Sequence, residues 1–524
     1  LGIFGDRTIG AAEYSDSMQV GSRHVTYENG QMRTISDGLV KYGVKHDLFG
    51  NETLYTQFDG ATEKPIQRDS VSEYRQSGNS YHRMHASEFF GETGVVTDAS
   101  YADIDAYGRM LRQAKGSTLS YLGGTVREFY EYVYPQIQES EFTNKPVECK
   151  GPDTVTTKEY KYDSDGNLVG WTVKEGTKAV FDVTQISANT TKYAFGSPAQ
   201  KYFVEVNHDK NKTAAPRVES VVVKEDASKD VDRPVYLFSV KYKWNQYGNL
   251  AEATTGATTE NYLYQVVKNN RLPYKRTYNS RHLSIIVDSS DTIDFYDNGL
   301  LKQEVVEHKI SGISYPSSFA STRTFQYDNL RRITKEINTG LGINRTYSYY
   351  PDGRLKQIAD SQNSEVKNFV YDSKGRLVSM GQNTYTYDNF GNRISKTANG
   401  VTKNYTYDVG GRLVSCGRVN YYYNADGIRC KKICVSNGIP EKMYLDGGKV
   451  VGEDRANCKL RYFYDVTGLK RMRMTNDNGT TDYEYVKDSN GSIIMLVGVL
   501  DGKIACQYEY DALGNCKIVY QENK

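Results

Sequence analysis

At 524 residues the chain is longer than a single compact core usually grows, so it reads as several domains or as one extended repeat structure. Its 66 basic and 64 acidic residues leave a formal charge of +2, which excludes a global field steering it to nucleic acid or an anionic membrane. Hydrophobic residues are only 38% and mean hydropathy is −0.65, values that suit a sheet one layer deep and wetted on both sides better than a thick core.

The start, Leu1-Gly-Ile-Phe-Gly-Asp6, has no basic end, no apolar run and no initiator methionine, and reads as a processed or excised piece of a longer polypeptide. Tyr27-Glu-Asn-Gly30 and His46-Asp47-Leu-Phe-Gly50-Asn51 are turn phrases, with His46 a scaffold residue where later copies carry tyrosine. His82 and His85 lie three apart on an expected strand, hence on opposite faces, and make no metal pair. Asp105-Ala-Tyr-Gly108-Arg109 is another degenerate turn, and Thr118 to Gln138 reads as two strands joined at Gly123-Gly124. A full phrase appears at Tyr160-Lys-Tyr162-Asp163-Ser-Asp-Gly166-Asn167-Leu168, and again at Tyr242-Lys-Trp244-Asn245-Gln-Tyr-Gly248-Asn249-Leu250. No Gly/Ser-rich or Pro-rich linker and no sustained helical period interrupts the chain. We expect one all-β array, irregular over residues 1–315 and regular over 316–524.

Beyond residue 316 the phrase Tyr-x-Tyr-Asp-x-x-Gly-Arg/Asn-aliphatic recurs. Close copies place Tyr371, Asp372 and Gly375, then Tyr385, Tyr387, Asp388 and Gly391, then Tyr405, Tyr407, Asp408 and Gly411. Later ones place Tyr464, Asp465 and Gly468, and Tyr508, Tyr510, Asp511 and Gly514. Successive glycines are separated by 16 residues (Gly375 to Gly391) up to 23 (Gly491 to Gly514), the signature of tandem supersecondary units. Tyr-x-Tyr on a strand sends both rings to one face. Asp-x-x-Gly is turn chemistry, a carboxylate accepting nearby backbone N–H groups and a glycine taking positive φ. One unit is then a hairpin, too small to be stable alone, and successive hairpins must pair edge to edge. The arginines after the turns are expected over the tyrosine rings as cation–π partners.

These phrases resemble the YD repeats of the RHS family, found in bacterial polymorphic toxins, wall-associated proteins, the C component of insecticidal toxin complexes and the teneurins. The resemblance implies a long sheet of hairpins spiralling into a hollow shell, which encapsulates or scaffolds a C-terminal toxin or effector domain of the same secreted or surface-borne bacterial polypeptide. Its implied partners are that payload and neighbouring shell segments, with no nucleic acid and no membrane span. The family's autoproteolytic core follows the repeats and is not visible before Lys524, so no catalytic residue is carried over and a non-enzymatic role is expected.

The alternative is an adhesin or carbohydrate-binding module that holds surface glycans on exposed tyrosines such as Tyr385 or Tyr405. No nucleophile elbow, phosphate loop or His-Glu-x-x-His is present, and no cofactor or metal is expected. The basic segment Arg461 to Arg473, with Lys470 and Arg471, is read as a solvated sheet face. The seven cysteines are read as free, partly buried thiols, with one or two cross-strand disulfides as the alternative. The longest apolar run, Ile493 to Leu500, is too short to span a bilayer.

Overall fold

The computed structural model describes residues 16–20, 23–28, 31–36, 40–46, 52–59, 64–75, 81–91, 94–105, 109–116, 126–134, 148–150, 156–196, 200–209, 217–226, 235–281, 285–312, 318–388, 391–407, 411–424 and 428–521. These residues form forty-three β-strands and no helix. The registers are antiparallel between strands consecutive in sequence, from Asp16–Val20 with Arg23–Glu28 to Ile504–Tyr510 with Cys516–Gln521. The all-β array of hairpins is therefore as expected. The start at Leu1–Asp6, the turn residues Gly30, Asp47, Gly50, Asn51 and Gly108, the Gly123-Gly124 joint and Asp408 lie outside the described residues.

The chain divides into two compact units. One consists of Leu1–Thr154, Ser348–Gln357 and Lys367–Tyr421. Its strands Glu365–Tyr371 (from Lys367 on), Leu377–Met380, Asn383–Tyr387, Arg393–Ala398, Val401–Tyr407 and Leu413–Cys416 pair in sequence, each hairpin a short up-and-down step. Along them one face carries Phe369, Tyr385 and Cys416, all buried, while Thr384, Thr386 and Thr406 between them are exposed.

The other unit, Val155–Tyr347, Ile358–Val366 and Tyr422–Lys524, departs from the expected single layer. Strand alternation puts Phe181, Val183, Tyr202, Val221, Val223, Phe238 and Val240 on one face, and Tyr444, Val451 and Phe463 from the later strands pack directly on them. Ring contacts fix the join: Phe195 meets Tyr444 edge-on at 5.2 Å, and Phe463 meets Tyr202 at 5.3 Å and Phe238 at 5.7 Å. A second cluster joins Tyr278, Val287, Val306 and Ile310 to Val486, Met495, Val497 and Ile504. The expectation of a sheet wetted on both sides fails here because two stretches of the same array cover each other. Low overall hydropathy did not preclude this, since much of what fills the seam is charged. The apolar run Ile493–Leu500 forms the strand Ile493–Gly498, nearly every residue of which is buried.

Candidate functional site

The repeated phrase first has to be resolved atom by atom. In Asp372-Ser-Lys-Gly375-Arg376, Asp372 Oδ1 accepts the backbone N–H of Lys374 at 3.0 Å and of Arg376 at 2.8 Å, while Oδ2 accepts from Arg376 Nε at 2.7 Å. Asp388 and Asp511 repeat this with asparagine: Asn392 Nδ2 reaches Asp388 Oδ2 at 2.9 Å, and Asn515 Nδ2 reaches Asp511 Oδ2 at 2.9 Å. Asp163 and Asn167 do so at 3.2 Å. Arginine or asparagine follows the glycine because only a side-chain donor there reaches the carboxylate's second oxygen. Gly375 and Gly391 close the turns at φ of +76° and +84°, where a Cβ is disfavoured.

The second tyrosine has a role that the sequence does not announce. The hydroxyls of Tyr371, Tyr387, Tyr407, Tyr464 and Tyr510 donate to the backbone carbonyls of Leu355, Leu377, Arg393, Val450 and Ile493, at 2.7 to 3.1 Å. Four of these carbonyls belong to the first residue of the strand that follows the preceding turn, and the fifth, that of Val450, to the second. The hydroxyl thus fastens one repeat to the one before it, and Tyr510 is pushed up to about 12 by burial. The expected cation–π contacts are present: Arg354 lies over Tyr371 at 4.7 Å and Arg376 over Tyr387 at 5.1 Å, while Arg393 lies over the first tyrosines Tyr385 and Tyr405 at 5.4 and 5.2 Å. Tyr160 takes Lys158 at 5.1 Å, and Tyr162 stands half-buried beside it.

Within the second unit the turns at Asp465, Asp488 and Asp511, each 23 residues after the last, meet a row of charged side chains from the facing strands. Beside the first, Lys470 is 2% exposed and bonds Glu260, with Glu484 Oε1 at 2.8 Å, while Arg276 also pairs with Glu260. Burial alone would raise Glu260, but Lys470 and Arg276 outweigh it and hold the carboxyl far below its usual range. At the second, Arg276 donates to the Asp488 carbonyl at 2.9 Å, Ser489 N–H donates to Asp291, and Asn490 Nδ2 donates to Glu304 at 3.1 Å. Arg323 pairs with Glu304 and lies 3.5 Å from Asp488. At the third, Arg345 Nη1 donates to Asp511 Oδ2 at 2.8 Å, Ala512 N–H to Glu336 Oε1 at 2.8 Å, and Asn338 Nδ2 to the Tyr510 carbonyl at 3.0 Å. Glu336, fully buried, also accepts from Tyr347 and is raised by burial and by Asp511.

Two expectations are corrected by this seam. The segment Arg461 to Arg473 is no solvated face: Arg461, Lys470 and Arg471 are all buried, because each finds carboxylates or an aromatic ring on the covering strands. The repeat aspartates are not all confined to their own turns, since Asp511 also pairs with Arg345. Nearby, Lys487 is drawn down to about 8 by burial and donates to the Thr467 carbonyl at 2.7 Å. His308, 2% exposed, has Nδ1 2.9 Å from Ser289 Oγ and its ring stacked on Phe319 at 5.6 Å; burial pushes it down to about 4.

The tyrosines offered for glycan stacking are not open platforms: Tyr385 is 6% exposed and Tyr405 is half-buried under Arg393. Tyr508 is likewise half-buried, while Gly166, Gly411, Gly468 and Gly514 sit in their turns with positive φ. Cys416, Cys430, Cys434, Cys458, Cys506 and Cys516 are free thiols. Among the described residues no group of three His, Cys, Asp or Glu is placed to hold a metal ion, and no helix is long and apolar enough to cross a membrane. A cavity of about 220 Å³ opens within the seam between Tyr193, Tyr202 and Val204 on one side and Val451, Phe463 and Tyr464 on the other.

Residues 301–432 match the family model described as the teneurin YD-shell. No curated protein matches the chain. Among solved structures, a mutant Tc holotoxin pore from Photorhabdus luminescens is 9% identical over 94% of this chain and 42% of its own, with a TM-score of 0.24. A complex of TcdB2, TccC3 and Cdc42 is 9% identical over 95% and 43%, with a TM-score of 0.22. A porin-like protein from Bacteroides uniformis is 10% identical over 51% and 93%, with a TM-score of 0.14. The chain spans about two fifths of the length of the first two. The fold is accordingly read from its own strand pairing.

Proposed function

The chain is a member of the RHS/YD-repeat family, and on that premise we propose that it is a non-catalytic wall segment that encapsulates or scaffolds a C-terminal toxin or effector domain of a secreted or surface-borne bacterial polypeptide. The observation that carries this reading is how the repeat spends its polar groups. The described repeat aspartates bind their own turns, and five second tyrosines hook the preceding strand, so the motif supports a wall and leaves little of itself for chemistry. Consecutive antiparallel pairing satisfies the strand edges by the next strand, which is what a wall that must not aggregate requires. The partners on this reading are the payload and neighbouring wall segments.

Cryo-EM of the natural full-length polypeptide tests it. Density of other sequence held on the inner side of a continuous sheet is the expected result. An array with no enclosed density, accompanied by equal protease sensitivity of the payload sequence with and without the array, would overturn it.

A further inference from the structure

The cavity of about 220 Å³ in the second unit is where the repeat breaks its own rule. At Asp372, Asp388 and Asp511 the residue after the glycine donates to the carboxylate's second oxygen. Asp488, with Ser492 at that place, has Arg323 at 3.5 Å instead. Asp465, which lines the cavity, has neither. The residue after Gly468 is Leu469, which carries no donor. Asp465 Oδ1 accepts the Thr467 backbone N–H and hydroxyl, each at 2.7 Å, and Oδ2 is buried with no hydrogen-bond partner. The Tyr242 hydroxyl, whose pKa is raised by burial and by the Asp465 charge, is likewise buried without a partner, so the two do not close on each other.

The walls around Asp465 are aromatic, with Tyr193, Phe195, Tyr202, Phe463 and Tyr464 among them. Tyr202 meets Phe195 and Phe463 edge-on, at interplanar angles of 71° and 68°, an arrangement that presents both faces and edges to a further ring. Protein interiors close-pack with few voids larger than a water molecule, and an apolar cavity of about 150 Å³ already takes a benzene-sized ring. Lys449 and Val466, both exposed, belong to the lining, so the hollow reaches the surface.

The charges of the lining cancel, Asp446 and Asp465 against Lys449 and Arg461. Asp446 accepts the Tyr193 hydroxyl at 2.6 Å and faces Lys449 across a two-residue turn, while Arg461 pairs with Asp454 and lies over Phe195. Asp465 stands in the fields of Lys470 and Lys487. What its second oxygen lacks is therefore a hydrogen atom and not a countercharge. From this arrangement we infer that the cavity binds a small uncharged aromatic molecule carrying an N–H or O–H donor, an indole or a phenol, with its ring among the aromatic walls and its donor on Asp465 Oδ2. An ammonium ligand meets Lys449 at the mouth, and a carboxylate ligand meets Asp446. The inference does not rest on the wall reading, and either can fail alone.

Isothermal titration calorimetry of the full chain tests the site, with indole and phenol, their methylated counterparts 1-methylindole and anisole, and the charged tryptamine and indole-3-acetate. Saturable binding of indole or phenol is expected. The methylated counterpart keeps the ring but lacks the donor, and is expected to bind more weakly by roughly tenfold or more. Both charged indoles are expected to bind less tightly than the neutral ligand. In Asp465→Asn, whose amide keeps the size of the carboxylate, the preference for the donor-bearing ligand is expected to fall, a change that a weakened turn alone does not produce. Val451→Phe puts a ring into the hollow and is expected to abolish binding. Absence of saturable binding by both indole and phenol, methylated ligands that bind equally well, a charged indole that binds tighter, a preference unchanged in Asp465→Asn, or binding that survives Val451→Phe in folded protein would overturn the assignment.

Discussion

Tyr387 shows how much one atom of the repeat does. Its ring could be read from the sequence as a strand residue on the Tyr385 face, and its arginine partner from the turn that precedes it. The bond from its hydroxyl to the Leu377 carbonyl at 2.7 Å could not, because nothing in a pattern of letters distinguishes a tyrosine kept for its ring from one kept for its oxygen. Tyr387→Phe separates the two. It keeps the ring and the contact with Arg376, and is expected to lower stability by about 1 kcal/mol, read as a shift of the urea midpoint. Asp372→Asn tests the other half of the phrase: it removes the charge from the bond to Arg376 Nε, and a half-buried turn of this kind is expected to lose about 1 kcal/mol or less. A larger loss than Tyr387→Phe would reverse the ranking of hook over turn.

Hairpins were legible one at a time, since Tyr-x-Tyr, Asp-x-x-Gly and the restarting aliphatic residue are local signals. What faces each hairpin was not. In the strand Gly479–Lys487, Glu484 occupies the same x position between tyrosines as Thr386 does in Asn383–Tyr387, yet Glu484 is 2% exposed and Thr386 is open to solvent. The difference comes from Lys470 and Arg471, whose positions relative to Glu484 depend on strand register, and from Glu260, which is more than two hundred residues distant in sequence. The even 23-residue spacing of Asp465, Asp488 and Asp511 was the available hint, together with acidic residues at Glu260, Glu304 and Glu336 in otherwise alternating strands. Lys470→Met leaves Glu260 with Arg276 and Glu484 with Arg471 as their remaining cations and is expected to cost about 3 kcal/mol, whereas replacing Lys470, Glu260 and Glu484 together by apolar residues of similar volume is expected to recover none of that loss, because Arg276 and Arg471 are then buried without their carboxylates. Chemical denaturation of the single and triple variants checks both.

For the whole molecule, composition pointed to a thin, wet sheet, and the second unit is instead a charged seam between covered strands. His308 gives that seam a pH signature. Its native value of about 4 lies below the ~6.5 of an unfolded histidine, so the unfolded chain binds more protons between those limits. Stability should be fully present above pH ~6.5 and fall by about 3 kcal/mol as the pH drops to about 4. The difference in melting temperature between pH 7 and pH 4.5 should shrink in His308→Gln; an unchanged difference would show that other groups govern acid sensitivity. The tyrosine hooks carry a last consequence. All five reach back to a strand earlier in the chain. At these five places assembly has a direction that coincides with translation: the later hairpin, on leaving the ribosome, supplies the hydroxyl that fastens the one before it.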